Sequence, residues 1–210
     1  SQDIKDLKSL ISKKRKKAKV IAKIEKPQAL DDIESIIKIA DGIMVARGDL
    51  GVEVPLHSLP LIQKRIVAKS RIHSKPVIIA TQMMESMMQN LTPSRAEVND
   101  VANAVMDGAD AVMLSGETSV GKYPVEVIKT IYKIIDNAET YEDLYYKMNV
   151  LNLRSNRDIS DSICQNAIKL ARDTKAKAIV TMSFSGYTGF KISSFRPKAN
   201  TFVFTANRPI

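Results

Sequence analysis

The chain reads as an α/β protein built on a parallel sheet, with its chemistry gathered at the carboxyl edge of that sheet. Two observations predict this. Four short apolar runs begin near Val20, Gly42, Pro76 and Asp110, at intervals of 22, 34 and 34 residues, which suit a strand, a crossover helix and the return to a parallel strand. Each run also ends in polar groups able to do chemistry: 20–22 leads into Lys23 and Glu25, 43–46 into Arg47 and Asp49, 77–80 into Thr81 and Gln82, and 111–114 into Ser115 and Glu117. Parallel α/β enzymes build their sites at that edge.

The elements follow in order. Ile4, Leu7, Leu10 and Ile11 mark an amphipathic helix that ends in Lys13, Lys14, Arg15, Lys16 and Lys17, cations that suit a helix C-terminus. Leu30, Ile33, Ile36, Ile37 and Ala40 form one apolar stripe stopping at Gly42, which reads as a C-terminal cap. A helix over about 58–72 carries Leu59, Ile62 and Ile66 and is released by Pro76. Ser94 and Glu97 form a capping box ahead of Val98, Val101, Val105 and Met106, and Asp107-Gly108 closes that helix. Pro124 occupies a first helical turn before Val127, Ile128, Ile131, Ile134 and Ile135. Residues 147–158 are rich in Asn and Arg without a period and read as a linker. Beyond it come a helix over 160–174, a strand over 178–182, a Ser/Gly-rich turn, a short helix and a strand over 201–205. The expected organisation is therefore a first domain over 1–146, the linker, and part of a second domain over 159–210. Both ends look cut, so a fragment of a longer protein is expected.

Bulk properties narrow the function. At 210 residues and 44% hydrophobic, the chain can bury one core or one and a part. The net charge of +9 raises nucleic acid as a partner, but the basic run falls at a helix end. Five Phe, six Tyr and no Trp supply no evident base-stacking platform. No apolar run approaches the roughly 20 residues needed to span a bilayer. One cysteine, Cys164, allows no internal disulfide, and a reducing cytoplasm is the simplest reading. The expectation is a cytoplasmic protein with neither nucleic acid nor membrane as a partner.

Lys23 and Glu25 stand two apart, so on a strand both leave the same face. That face carries an ion pair, a metal ligand, or both. Gly48 and Gly51 around Asp49 are also compatible with a plain turn. Taken jointly, the segments are specific: Lys23-Ile24-Glu25, then Met44-Val45-Ala46-Arg47-Gly48-Asp49-Leu50-Gly51, then Ala80-Thr81-Gln82-Met83-Met84-Glu85-Ser86-Met87, then Pro93-Ser94-Arg95-Ala96-Glu97, then Asp100-Val101-Ala102-Asn103-Ala104, then Met113-Leu114-Ser115-Gly116-Glu117-Thr118. This series closely resembles pyruvate kinase, over essentially the whole chain and most strongly from Lys23 to Pro124. The resemblance implies the second half of a (β/α)8 TIM-type barrel followed by part of a small α/β C-terminal domain.

It also implies an activity: phosphoryl transfer from phosphoenolpyruvate to ADP, giving pyruvate and ATP, with Mg²⁺ or Mn²⁺ and K⁺, in a homotetramer. Mg²⁺ favours one or two carboxylates plus substrate and water, a set Glu25 and Asp49 could supply. Lys23 is placed to stabilise the enolate left by phosphoryl loss. Backbone N–H groups at Gly48 and Asp49 could hold the substrate carboxylate. Thr81, with a water, is the expected route for the proton that completes pyruvate, beside a plainer role capping its strand. Arg47 suits either a scaffold residue, pairing with a carboxylate or a neighbouring subunit, or a substrate ligand, the scaffold being favoured. Ser115 and Glu117 suit either the nucleotide side or a turn and cap. His57 and His73 show no ligand spacing, and Met83, Met84, Met87 and Met88 suit adaptable packing. In the second domain, Ser183, Ser185, Gly186 and Thr188 resemble the family's effector phosphate loop, although Phe184 and Tyr187 stand where sugar-phosphate-activated members carry Lys or Arg. Without the other half of the barrel, the 210 residues alone are expected to lack turnover.

Overall fold

The computed structural model describes residues 1–14, 18–141 and 157–207. The end of the basic run, at 15–17, and residues 147–156 of the linker expected over 147–158 lie outside the described residues, while Asp158 already belongs to a helix. The chain divides into two compact units, Ser1–Thr140 and Tyr141–Ile210.

The first unit is a four-stranded, wholly parallel sheet in sequential order: β1 (Ile21–Ile24), β2 (Gly42–Ala46), β3 (Val77–Ala80) and β4 (Ala111–Met113). Lys23 pairs with Met44, Ile43 with Val77, and Ile78 with Ala111. Sequential parallel strands joined by helices are how a barrel wall is built. Two aspartates pin the amino ends of the strands. Asp41 accepts the Val20 N–H and Asp110 accepts the Val77 N–H, each at 2.8 Å, and each returns its own N–H to the carbonyl of that same residue. These paired bonds fix the register at the amino end of the ladder.

Helices α1 (Gln2–Lys13), α2 (Pro27–Asp31), α3 (Ile33–Ile39), α4 (Arg47–Glu53), α5 (Leu59–Ile72), α6 (Arg95–Asp107), α7 (Gly116–Ser119) and α8 (Pro124–Ala138) complete this unit. Its core is continuous: Ile24, Ile43, Val45 and Ile79 from the strands meet Ile37, Leu50, Ile66, Val67, Val101 and Val127 from the helices. Met83, Met84 and Met87 of the methionine cluster are fully buried in it, while Met88 is half-buried.

Two expectations change. The stripe from Leu30 to Ala40 is two helices, broken at Asp32, and Gly42 opens β2 instead of capping α3. The reason for glycine is proximity, since a Cβ there would sit 3.3 Å from both Pro76 Cγ and the Pro76 carbonyl oxygen. The capping box stands as read: Glu97 N–H donates to Ser94 Oγ at 3.2 Å and Ser94 N–H to Glu97 Oε2 at 2.7 Å. Gly108 closes α6 with φ of 106°, a left-handed conformation that glycine enters freely.

The second unit holds α9 (Asp158–Asp173), β5 (Ala178–Met182), α10 (Tyr187–Ser194) and β6 (Asn200–Phe204), with β5 and β6 parallel. Cys164, Ile168 and Ala171 of α9 pack with Ile179, Ile192, Phe195 and Ala199. Val180, Met182, Phe202 and Phe204 are exposed. Inside it lies a buried ion pair, Lys191 with Asp161 at 3.3 Å.

Candidate active site

The carboxyl ends of β1 and β2 carry opposite charges side by side. The alternation of β1 buries Ala22 and Ile24 and turns Lys23 outward, and Glu25 follows on the same side. Lys23 Nζ forms an ion pair with Glu25 Oε1 and lies 3.5 Å from Asp49 Oδ2. Asp49 comes from the first turn of α4, which starts directly after β2. The hydrogen bond to Glu25 is the main influence raising the Lys23 ammonium above its ordinary value, with the charges of Glu25 and Asp49 adding to it. Lys23 is therefore a fixed cation at any physiological pH.

Both carboxylates reach one ammonium and keep exposed oxygens, with Asp49 62% exposed. Two hard oxygen donors on a shared rim suit Mg²⁺, which completes its shell with substrate and water. Among the described residues no cluster of three or more His, Cys, Asp or Glu could hold a metal.

At the end of β3, Thr81 approaches the same rim through α4. Gly48 N–H donates to Thr81 Oγ1 at 2.7 Å, and the Thr81 hydroxyl donates to the Ala80 carbonyl at 2.6 Å. Gly48, expected to offer its N–H to a substrate carboxylate, directs it at Thr81 Oγ1 in this structure. Arg47 is buried and bonds Asp100 of α6, the scaffold role expected of it. The pairing leaves no local signal in the sequence, because Asp100 stands 53 residues from Arg47.

The segment after Thr81 is tied down by two carboxylates. Glu97 accepts Ser86 N–H at 2.6 Å and bonds the Ser86 hydroxyl. Glu117, 3% exposed, accepts Met84 N–H at 3.2 Å and Ser115 N–H at 2.8 Å. Ser115 and Glu117 thus build a turn and an anchor. His57 is exposed, and burial pushes His73, 3.8 Å from Glu34, below its ordinary value.

The Ser/Gly turn lies between β5 and α10 in the second unit. Gly186 takes φ of 77° and Ser185 Oγ is 3.4 Å from Tyr187 N. Tyr187 is committed inward: its phenol donates to Asp161 at 2.5 Å, beneath the Arg157 guanidinium 4.3 Å from the ring centre. Burial first, then that bond, raises the phenol above its ordinary value.

A sequential parallel sheet with a lysine and two carboxylates on its carboxyl rim is the arrangement of an α/β domain with a charged site at its strand ends. The family model described as pyruvate kinase, barrel domain, matches residues 1–128, and that described as pyruvate kinase, alpha/beta domain, matches 161–210. The chain is 45% identical over 194 residues to the pyruvate kinase of Thermotoga maritima, covering 92% of this chain and 41% of that protein. Against the pyruvate kinase of Naumovozyma castellii it is 40% identical over 210 residues, 99% of this chain and 42% of the relative. A crystal structure of a pyruvate kinase from Cryptosporidium parvum superposes with a TM-score of 0.91 at 37% identity, covering 99% of this chain and 44% of that one. The chain belongs to the pyruvate kinase family. It spans about two fifths of the length of the curated relatives it matches.

Proposed function

We propose that the protein carrying this chain transfers the phosphoryl group of phosphoenolpyruvate to ADP, forming pyruvate and ATP, as a cytoplasmic homotetramer using Mg²⁺ or Mn²⁺ and K⁺. One observation carries the reading: a permanently charged Lys23 between Glu25 and Asp49, on a rim that Thr81 also reaches. The K⁺, the tetramer and the compartment rest on the family alone. Among the described residues no helix is long and apolar enough to cross a membrane.

The roles follow from charge and reach. As the bond from phosphorus to the enol oxygen breaks, negative charge collects on that oxygen, and Lys23 stabilises it without first having to gain a proton. Glu25 and Asp49 would hold the divalent cation, which would supply charge neutralisation to the anionic substrate. The Asp49 backbone and the Thr81 hydroxyl frame the substrate carboxylate, with Gly48 fixing the hydroxyl. Thr81 then relays a proton, through water, to the terminal carbon of the enolate, completing pyruvate. An effector phosphate at Ser183, Ser185, Gly186 and Thr188 is a further proposal, and the inward Tyr187 argues against an effector that needs a cation at that position.

The test is Lys23→Met in the full-length protein. Loss of one preorganised cation should lower kcat by about 10²–10³-fold with little change in the KM for phosphoenolpyruvate. An unchanged rate would remove Lys23 from the mechanism. Failure of the unaltered protein to make ATP would instead favour a barrel lyase that forms a pyruvate enolate without phosphoryl transfer.

A further inference from the structure

Thr81 and Gln82 have φ of 72° and 54°, two successive non-glycine residues in left-handed conformation. For β-branched threonine this is a true outlier, and such strain persists only where the surroundings over-determine it. The grip comes from one buried guanidinium. Arg47 Nη2 donates to the Thr81 carbonyl at 2.8 Å and the Gln82 carbonyl at 3.3 Å, and lies 2.9 Å from Met83 Sδ. Its Nη1 bonds both carboxylate oxygens of Asp100, at 2.8 and 2.6 Å. The next residue, Gly48, holds the Thr81 hydroxyl through its N–H. Successive residues of α4 therefore fix the backbone and the side chain of a single threonine.

An ion pair that only tied α4 to α6 would need no contact with these two carbonyls. We infer that Arg47 is a positioning residue acting through Thr81: anchored by Asp100, its guanidinium holds the Thr81–Gln82 backbone left-handed and so sets where the Thr81 hydroxyl stands, between the Gly48 N–H it accepts and the Ala80 carbonyl it donates to. This rests on the reading of Thr81 as proton relay. Lysine cannot replace it, because a point-like ammonium lacks the planar fork that reaches Asp100 and two carbonyls together.

The experiment compares Arg47→Lys, Thr81→Ala, the pair of them, and Arg47→Lys with Gln82→Gly, all in the full-length protein. Arg47→Lys should lower kcat about tenfold to a hundredfold, the effect of a misplaced catalytic group, with the KM for phosphoenolpyruvate within about twofold. Added to Thr81→Ala it should cost nothing more. Gln82→Gly should restore part of the lost rate, since glycine removes the cost of positive φ at one of the two clamped residues. Additive losses, or no rescue by glycine, would overturn the inference. The Thr81 methyl resonance gives a second readout without substrate: it should move in Arg47→Lys and return part of the way with Gln82→Gly. If the methyl behaves so but the unaltered protein makes no ATP, the phosphoryl-transfer reading falls and the positioning stands. If ATP is made and the methyl is indifferent to Arg47, the positioning falls. Should Arg47→Lys fail to fold, Asp100→Asn loosens the same anchor and should give the same pattern in milder form, and absence of that pattern would refute the inference.

Discussion

Glu97→Gln tests how the loop beyond Thr81 is held. The Glu97 carboxylate collects four donors: the N–H and hydroxyl of Ser86, and the N–H and hydroxyl of Ser94, the last two at 2.7 and 2.8 Å. It thereby joins the loop at Ser86 to the start of α6. Glutamine replaces one acceptor oxygen with an NH₂. In its better orientation, the amide oxygen keeps the Oε2 contacts and the NH₂ faces Ser86 N–H, donor against donor. An unsatisfied donor costs about 1–3 kcal/mol when buried, and the partial exposure of Glu97 leaves about 1–2 kcal/mol. With a urea slope of about 2 kcal/mol per molar, the midpoint at pH 7 should fall by about 0.5–1 M. The pH dependence has a definite sign. Burial alone would raise the Glu97 carboxyl, but the bonds from Ser86 and Ser94 prevail and hold it below its ordinary 4.5. Its contribution is therefore complete above that value and is lost as pH falls through the lower, folded value. Urea titrations followed by circular dichroism at pH 7, 5 and 3 should show the gap between parent and variant closing with acid. Equal midpoints at pH 7, or a gap unchanged at pH 3, would refute the reasoning.

Other outcomes follow from the same geometry. In the full-length protein, Mg²⁺-dependent binding of oxalate, an enolate mimic, should vanish in Glu25→Gln by calorimetry, and undiminished binding would remove Glu25 from the metal site. Lys191→Met leaves the buried Asp161 without its ammonium and should cost the second unit about 3–5 kcal/mol in thermal unfolding; a loss below about 1 kcal/mol would contradict the pair's importance. Gly108→Ala forces alanine to φ of 106° with its Cβ 2.8 Å from Arg71 Cδ. Because the arginine side chain can step aside, the cost should stay near the backbone penalty, about 1–2 kcal/mol. The 210 residues on their own should yield no ATP in a coupled assay, and turnover would show that the site needs nothing more.

What the sequence discloses and what it hides divide along physical lines. Strands β2 to β4 were legible because apolar runs end abruptly in polar residues, and the Ser94 box and Gly108 because caps are local chemistry. The break at Asp32 was hidden, since the apolar stripe keeps its period across two helices. Helix α4 was masked by Gly48 and Gly51, which read as a turn because glycine disfavours helix. Lys23 and Glu25 could be placed on one face by strand alternation alone. Asp100 could not be matched to Arg47, since a contact across 53 residues leaves no local pattern. The left-handed Thr81 was opposed by its own propensity, and only the guanidinium beneath it accounts for that conformation.

Cys164 turns the second unit into its own clock. It is the only cysteine in the chain and is 1% exposed, and burial, with the charge of Asp161 adding, pushes its thiol above the ordinary value. Alkylating reagents attack the thiolate, so labelling waits until α9 lifts from its sheet. The labelling rate in rising urea therefore times the opening of one unit while remaining blind to the other, in the unaltered protein and with no probe attached.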